Sequence, residues 1–150
     1  MKAITLRHPW PFAVCYWGKR IENRVWQPRT ELKPGDRFAI HGGRPPTTAG
    51  NRQYLDATVN ALLQQFGIPR GFERFNAVAF LKASVKPGIV ATAILDRVVT
   101  KSDDPWFCGP FGWVMRDVIV LDAPITISGA QGLWTVPPSV VAELQQLGAV

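Results

Sequence analysis

The sequence predicts an α+β domain, built as a small curved sheet or partly open barrel with helices packed at its side. Three observations support this fold class. A chain of 150 residues with 47% apolar residues suits one domain with one core. Charged residues make up only 19%, which argues against a disordered chain. Strand-like and helix-like segments follow one another without the regular βαβ alternation of a parallel doubly wound sheet.

Five segments are predicted before residue 42. In order, they are a strand at residues 3–6, a helix from Pro9 to Trp17, a strand from Arg20 to Trp26, a turn at residues 33–36 and a strand from Arg37 to His41. Pro9 favours a helix start because its ring fixes φ near the helical value, and Gly18 favours a helix end. Residues 20–26 alternate in the manner of a strand.

Periodicity and turn residues predict the remaining segments. Asn51 to Phe66 repeats apolar residues at helical spacing and is closed by Gly67 and Pro69. Gly88 to Thr100 is a β-branched run that is typical of a buried strand. The other predictions are a loop at 42–50, an undefined segment at 70–87, an aromatic turn at 103–112, strands at 113–121 and 125–127, and a helix from Pro137-Pro138 to Gly148.

Basic residues are concentrated in the first third of the chain. Residues 1–50 hold nine basic and three acidic side chains, a net +6, whereas residues 51–150 hold eight of each sign and sum to zero. The nine are Lys2, Arg7, Lys19, Arg20, Arg24, Arg29, Lys33, Arg37 and Arg44. This asymmetry favours a basic surface that meets a polyanion, and the alternative is an ordinary solvated surface.

Cysteine, histidine and hydropathy patterns argue against several other classes. Cys15 and Cys108 stand beside aromatic or apolar residues, which predicts buried reduced thiols rather than a disulfide. Neither forms a zinc-site spacing with His8 or His41, so no metal or cofactor is expected. The amino terminus has no long apolar run, which indicates neither a signal peptide nor a membrane span and favours a cytoplasmic location.

The densest polar cluster lies at the predicted corner between the first helix and the second strand. In a strand, Arg20, Glu22, Arg24 and Trp26 share one face, and Lys19 at the corner can turn toward the same side. Glu22 is then held ionised among cations, and the planar guanidinium of Arg24 suits a phosphate or a base edge. The alternative is a surface strand that carries a ladder of charges.

Gly18, Lys19, Glu22 and Arg24 resemble the G-x-K-x-x-E-x-R signature of the ASCH domain family, with Gly18 directly before Lys19. Flanking segments are similar to bacterial and phage members of that family, in the same order along the chain. These segments are Arg7-His8-Pro9-Trp10, Trp26, Gly35-Asp36 before residues 38–41, residues 106–113 and residues 129–134. The resemblance implies a single ASCH domain over residues 1–150, a small PUA-like mixed β-barrel with flanking helices and a variable insertion around residues 43–87.

The resemblance also implies a class of ligand. ASCH domains are proposed to bind RNA, and some bind DNA. One branch of the family hydrolyses N4-acetylcytidine with a catalytic lysine at the position of Lys19, and ribonuclease activity is also attributed to the family. This chain departs from the amidohydrolase branch, because Glu22 stands where that branch has a threonine and cannot supply the same hydroxyl.

Three functions are compatible with these residues. The first is a nucleic-acid-binding module, for RNA or DNA and not for a membrane, with a basic cleft that would be lined by Arg7, His8, Lys19, Glu22, Arg24, Trp26 and His41. The second is a hydrolase acting on a modified nucleoside or on RNA, with Lys19 and Glu22 catalytic. The third is a protein-interaction module with exposed aromatics. A closed pocket around Lys19 favours the enzyme, an open basic groove favours the binder, and an apolar patch without cations favours the third.

Two residue types have alternative roles. Four tryptophans either stack on bases or pack in the core, and no more than two of them are expected to face a ligand. They are Trp10, Trp26, Trp106 and Trp113. His8 and His41 are either general acid–base groups or hydrogen-bonded structural residues, and the structural role is favoured.

Overall fold

The computed structural model describes residues 1–28 and 30–150. Arg29, one of the cations of the basic first third, lies outside the described residues. The strands among the described residues are β1 (Lys2–Leu6), β2 (Ile21–Arg24), β3 (Arg37–Gly42), β4 (Gly88–Val99), β5 (Phe111–Ile125) and β6 (Leu133–Thr135). The helices are α1 (Trp10–Tyr16), α2 (Ala49–Phe66), α3 (Ala77–Ala83) and α4 (Pro138–Gln146).

These strands form one curled sheet, a half-barrel, in the order β2-β5-β4-β3-β1-β6. β1 and β3 pair in parallel, with Ile4 opposite Ile40, and the other pairings are antiparallel. The predicted α+β class with a curved, barrel-like sheet is therefore confirmed. Because β1 and β3 are parallel, their carboxyl ends, at Leu6 and Gly42, meet at the same edge of the sheet.

The curl of the sheet is associated with irregularities between its two longest strands. β4 contains 12 residues and β5 contains 15, and their register shifts at three places along the ladder. Each such bulge bends its strand and increases the local twist. At the start of β4, Gly88 has a φ of 101°, and a Cβ there would lie 2.4 Å from the carbonyl oxygen of Ile125. Only glycine permits this close approach of the two strands.

The central strands β1 and β3 are buried on both faces. One face carries Ile4 and Ile40 and packs against α1. The other carries Ala3 and Ala39 and packs against Leu144 of α4. Burial on both sides is typical of parallel strand pairs, whose sequences then read as nearly continuous apolar runs. The two strands therefore form a rigid centre that fixes the loops at their carboxyl ends.

An aromatic cluster holds helices α1, α2 and α3 together beside the sheet. Phe12 of α1 contacts Phe72 and Phe80 edge-on, with ring centroids 5.1 and 5.4 Å apart. Edge-to-face pairs of this kind contribute about 0.5–1.5 kcal/mol each beyond the area that they bury. The cluster thereby fixes α1 and α2, two helices that supply residues to the candidate site.

Helix α2 begins at a side-chain cap. The hydroxyl of Thr48 caps α2 by accepting a hydrogen bond from the backbone N–H of Asn51 at 3.2 Å.

The sequence prediction of secondary structure is wrong or incomplete at three elements. β5 is continuous from residue 111 to residue 125, where the sequence predicts separate strands at 113–121 and 125–127. Pro124 suggests that break, but it lies where the ladder with β4 shifts register, so its missing N–H interrupts no regular pairing. The short strand β6 and helix α3 are not predicted. β6 contains only three residues, which are too few to show a periodicity. α3 begins at a side-chain cap instead of being marked by periodicity, since the Asn76 side chain accepts a hydrogen bond from the Ala79 N–H at 2.8 Å.

Both cysteines are free, but only one is even partly buried. Cys108 is exposed, so the prediction of a buried thiol is wrong there, since its aromatic neighbours pack inward while its own side chain faces a cavity. Cys15 is half-buried, and burial, opposed by Lys86 and Arg20, raises the pKa of its thiol to about 12. The Cys15 thiol is therefore protonated and unreactive at neutral pH.

Candidate functional site

A buried ion pair forms at the corner between α1 and β2. Gly18, with a φ of 70°, turns the chain out of α1, and the backbone N–H of Lys19 then donates to the carbonyl oxygen of Ala13 at 3.1 Å. This turn directs the Lys19 ammonium back over the strand, where it donates to Glu22 Oε2 at 2.7 Å and to the carbonyl oxygen of Ile21. Lys19 is 2% exposed and Glu22 is 9% exposed, so both charges are removed from water.

Glu22 lies between two cations. Its second oxygen, Oε1, is 3.4 Å from Arg24 Nε, close enough for an ion pair although the N–H is not aligned for a hydrogen bond. Glu22 and Arg24 share one face of β2, as the sequence predicts. Arg20 is not part of this arrangement, because its guanidinium donates to the carbonyl oxygens of Val14 and Lys19 at 2.8 and 2.9 Å.

Trp26 also lies apart from the ion pair. β2 ends at Arg24, two residues before the predicted end of the strand. The Trp26 ring packs edge-on against the fully buried ring of Trp113, with centroids 4.9 Å apart. Trp113 Nε1 in turn donates to the Trp26 carbonyl oxygen at 3.3 Å. Both rings therefore belong to the packing of the core rather than to the cavity beside Lys19.

The ion pair forms part of the wall of a cavity of about 360 Å³. We call it the aromatic cavity, and it is lined by Trp10, Lys19, Glu22, Asn23, Leu62, Gln65, Pro105, Trp106 and Cys108. Trp10 Nε1 donates to the Tyr54 hydroxyl at 3.2 Å, and the Trp106 ring stacks on Phe66 with centroids 4.2 Å apart and planes 11° from parallel. Two tryptophan rings thus line this space in fixed orientations.

Asn23 holds the aromatic loop that carries Trp106. Its side-chain Nδ2 donates to the Trp106 carbonyl oxygen at 2.8 Å. Its Oδ1 accepts from the backbone N–H groups of Cys108 and Gly109 at 2.8 and 3.2 Å. The sequence gives no signal for this role, because Asn23 alternates with Glu22 and Arg24 along the strand and its partners lie more than 80 residues further along the chain.

Hydrogen-bonding capacity remains unused at the aromatic cavity. An ammonium has three donors, and Lys19 uses two of them among the described residues, on the Glu22 carboxylate and the Ile21 carbonyl. An ionised carboxylate has about four acceptor sites, of which Glu22 uses one in a hydrogen bond with Lys19. A ligand in the cavity would therefore find a donor and an acceptor side by side, in surroundings of low dielectric constant.

A second and larger concavity lies where β1 and β3 end. We call it the arginine groove; its volume is about 1030 Å³, and it lies along the loop between β5 and β6. Its lining includes Thr5, Arg24, His41, residues 42–45, Pro87, Gly88 and residues 126–132. No acidic residue occurs among the described residues that line it. A smaller cavity of about 200 Å³ lies beside it and shares Arg44 and Pro45 with it.

The predicted single cleft is therefore divided. Lys19 and Glu22 line the aromatic cavity, Arg24 and His41 line the arginine groove, Arg7 and His8 line the small cavity, and Trp26 packs against the core. Sequence reasoning missed two polar residues that line the aromatic cavity, namely Asn23 and Gln65. In the sequence, Gly42-Gly43-Arg44 could offer backbone N–H groups to a phosphate, but it lacks the P-loop spacing, so a plain turn is favoured. The structure places all three residues in the lining of the arginine groove.

His8 and His41 both make structural hydrogen bonds. His8 Nε2 donates to the Gly43 carbonyl oxygen and His41 Nε2 to the Ile127 carbonyl oxygen, each at 2.8 Å. Both Nδ1 atoms are buried without a hydrogen-bond partner among the described residues. Burial lowers the pKa of His8, and this effect exceeds the opposing hydrogen bond to Gly43. The two rings therefore tie the loops of the groove to the sheet, in keeping with the structural role that the sequence favours.

Arg7 is held on the surface of α2. Its guanidinium donates to Asn51 Oδ1 at 2.8 Å and lies 3.6 Å from the centre of the Tyr54 ring. Because the Tyr54 hydroxyl accepts from Trp10, Arg7 and the aromatic cavity are joined through one tyrosine. Arg7 is exposed and retains unused donors that face the small cavity.

Comparisons and searches for other kinds of site give no match. No protein-family model and no curated protein matches the chain. Within residues 1–28 and 30–150, no group of three His, Cys, Asp or Glu side chains could hold a metal ion. No helix in the same part of the chain is long and apolar enough to cross a lipid bilayer.

Replacing Glu22 by glutamine should destabilise the protein strongly. Glu22→Gln leaves the Lys19 ammonium buried without its counter-charge, and breaking a buried pair in this way costs about 3 kcal/mol or more. Glu31→Gln is the matched control, because the Lys2–Glu31 pair at 3.2 Å is solvent-exposed and its loss costs less than about 1 kcal/mol. Urea denaturation measures both free energies of unfolding, and equal losses would contradict the burial argument.

The lowered pKa of His8 predicts a loss of stability at mildly acidic pH. The unfolded chain binds a proton near the ordinary pKa of 6.5, whereas burial lowers the pKa of His8 in the folded protein. The free energy of unfolding should therefore decrease as the pH falls below 6.5. His8→Gln keeps a donor for Gly43 but does not titrate, so its free energy of unfolding should depend less steeply on pH. Identical pH profiles of the two proteins, measured by urea denaturation, would refute this role of His8.

Proposed function

We propose that this protein binds a nucleic acid, RNA or DNA, and places one nucleobase in the aromatic cavity. The observation that carries the proposal is a buried, hydrogen-bonding ion pair, Lys19–Glu22, in the wall of a cavity that two tryptophans also line. Flat rings combined with polar groups of both kinds match a nucleobase, which has two π-faces and an edge of donors and acceptors. The volume of about 360 Å³ lies within the range of small-ligand sites.

Trp10 and Trp106 supply the stacking surfaces. Each ring is already fixed, Trp10 by its hydrogen bond to Tyr54 and Trp106 by its stacking on Phe66. A ligand that stacks on them does not have to order them first, so little rotamer entropy is lost on binding. Stacking of a base on an aromatic side chain contributes about 1–3 kcal/mol and tolerates every base. The rings therefore support affinity rather than discrimination between bases.

Lys19 and Glu22 supply discrimination. The free acceptor sites of Glu22 suit an exocyclic amino group such as that of cytosine, and the third donor of Lys19 suits a base carbonyl oxygen. Asn23 and Gln65 add amide groups to the lining. A base without the matching edge would leave a buried charge without a new partner, which is costly. The cavity therefore favours one kind of base edge over others.

The ligand in this proposal is a single strand or a flipped nucleotide. A base that is stacked and paired inside a duplex cannot enter a cavity of this kind, so it must be unpaired first. The resemblance of Lys19, Glu22 and Arg24 to the ASCH signature supports the same class of ligand. The basic first third of the chain, with its net +6, supports it independently.

Trp106→Ala should weaken the binding of short single-stranded oligonucleotides. Loss of one stacked base corresponds to about 1–3 kcal/mol, so the dissociation constant should rise about five-fold to about 150-fold. The measurement is fluorescence anisotropy with labelled RNA and DNA pools of mixed sequence at low salt. Phe75→Ala is the control, because Phe75 is an exposed aromatic that does not line the aromatic cavity. An equal effect of both substitutions, or no binding by the native protein, would refute the proposal.

A hydrolase is the second candidate, favoured by one observation. Lys19 is 2% exposed and lines a cavity rather than an open surface, as a catalytic lysine acting on a modified nucleoside or on RNA would. However, the Glu22 carboxylate at 2.7 Å stabilises the charged form of Lys19. A charged ammonium can stabilise an oxyanion but cannot abstract a proton. The ion pair therefore favours binding over hydrolysis.

The native protein should release little or no cytidine from N4-acetylcytidine under conditions in which it binds oligonucleotides. The reason is that neither Lys19 nor Glu22 is available as an unpaired base. Chromatography of the nucleosides after incubation with the protein provides the measurement, and Lys19→Ala provides the comparison. Rapid turnover by the native protein that Lys19→Ala abolishes would make the hydrolase the better interpretation.

A further inference from the structure

The arginine groove has the chemistry of an anion site. Its volume of about 1030 Å³ is nearly three times that of the aromatic cavity, and two guanidinium groups, of Arg24 and Arg44, lie along it. Arg44 is exposed and has no carboxylate within 4.0 Å among the described residues. With no acidic side chain in the described lining, the groove is positively charged and attracts anions.

The loop of residues 126–132, which borders the groove, is held in place by contacts with side chains of the sheet. The Ile127 carbonyl oxygen accepts a hydrogen bond from His41, and the His41 ring lies edge-on to Trp134 with centroids 5.5 Å apart. At Gly129 a Cβ would come within 2.5 Å of Thr5 Oγ1 and of His41 Cε1, so the backbone of the loop lies directly on these side chains. The loop is therefore closely packed on the sheet over residues 127–129.

Residues 126–132 form a loop along the groove. They lie between β5 and β6, so their N–H groups are not used in the strand pairings. Backbone N–H groups in glycine-rich loops bind phosphate oxygens well, because no side chain prevents the close approach of the anion. Gly129 and Gly132 occur in this loop, and Gly42 and Gly43 also line the groove. The groove thus combines two arginines with a glycine-containing loop, and both suit a phosphate ligand.

Arg24 connects the groove to the aromatic cavity. Its guanidinium lines the groove, while its Nε is 3.4 Å from Glu22 Oε1 in the wall of the cavity. Arg44 also lines the small cavity that contains Arg7. Arg24 and Arg44 therefore line one groove, and Arg44 and Arg7 line the small cavity that adjoins it.

We infer that the arginine groove binds the sugar–phosphate backbone of the strand whose base occupies the aromatic cavity, an inference that rests on the proposed function. Arginine suits this ligand because its planar fork matches two phosphate oxygens at once. Phosphates recur along a strand, and a groove with cations in sequence is able to follow them. The preferred ligand is then an oligonucleotide of several residues rather than a free nucleoside.

The test compares Arg44→Ala with Arg74→Ala in oligonucleotide binding at a series of salt concentrations. Arg74 is exposed and belongs to none of the three cavities, so it controls for the loss of one positive charge. The probe is a labelled single-stranded RNA of mixed sequence, about 12 nucleotides long, within the site sizes of known single-strand binders. Three phosphate contacts give the native protein a log–log salt slope of about −2. Arg44→Ala should make that slope less negative by about 0.7, and Arg74→Ala should leave it unchanged.

The outcomes separate this inference from the proposed function. Trp106→Ala removes a neutral stacking contact, so it should weaken binding without changing the salt slope. If Trp106→Ala weakens binding but Arg44→Ala keeps the native slope, the groove inference fails and the base site stands. If Arg44→Ala makes the slope less negative but Trp106→Ala does not weaken binding, the base site fails. Binding of polyglutamate, but not of the oligonucleotide, would identify an acidic protein segment as the ligand and overturn the inference, as would no binding of either probe.

Discussion

The buried ion pair between Lys19 and Glu22 is the constraint on which the candidate site depends. Removing two charges from water carries a large desolvation cost, and a pair of apolar residues of the same volume would usually serve stability as well or better. The pair is maintained here by a specific local geometry, in which Gly18 turns the chain out of α1 and β2 places Glu22 beneath the ammonium. Because apolar residues would serve stability as well, the position of this pair in the wall of a cavity supports the proposed ligand site.

The architecture of the sheet separates two kinds of chemistry. The aromatic cavity lies beside β2 at one edge of the sheet, whereas the arginine groove lies at the carboxyl ends of the central parallel strands β1 and β3. Burial on both faces makes those two strands rigid, so the loops that follow them are held in fixed positions relative to each other. Arg24 is the one residue among those described that lines the groove and also contacts the ion pair. A strand edge and a strand end thus become neighbouring sites through a single side chain.

Much of the fold could be predicted from the sequence, because periodicity and turn residues report local structure. α1, α2, β3 and β4 lie within a few residues of their predicted positions for that reason. The pairing of Lys19 with Glu22 could also be predicted, because the two residues are only three positions apart at the corner between α1 and β2. The positions of Asn23 and Gln65 in the aromatic cavity could not be predicted, since they depend on partners brought together from distant parts of the chain. Cys108 shows the same limit, because hydrophobic neighbours do not reveal which way one side chain of a loop points.

In the proposed function, the different charges of the two sites would give each a different part in binding. In the aromatic cavity, the positive charge of Lys19 and the negative charge of Glu22 cancel, so bringing a neutral base there changes little in the long-range electrostatics. The contribution of the aromatic cavity to binding would therefore be short-range and would depend on the edge of the base. In the arginine groove the positive charge is not cancelled by any described lining residue, so the groove's contribution would be long-range, insensitive to sequence and screened by salt. A protein arranged in this way would be drawn to a strand by the groove and would select a position on it by the cavity.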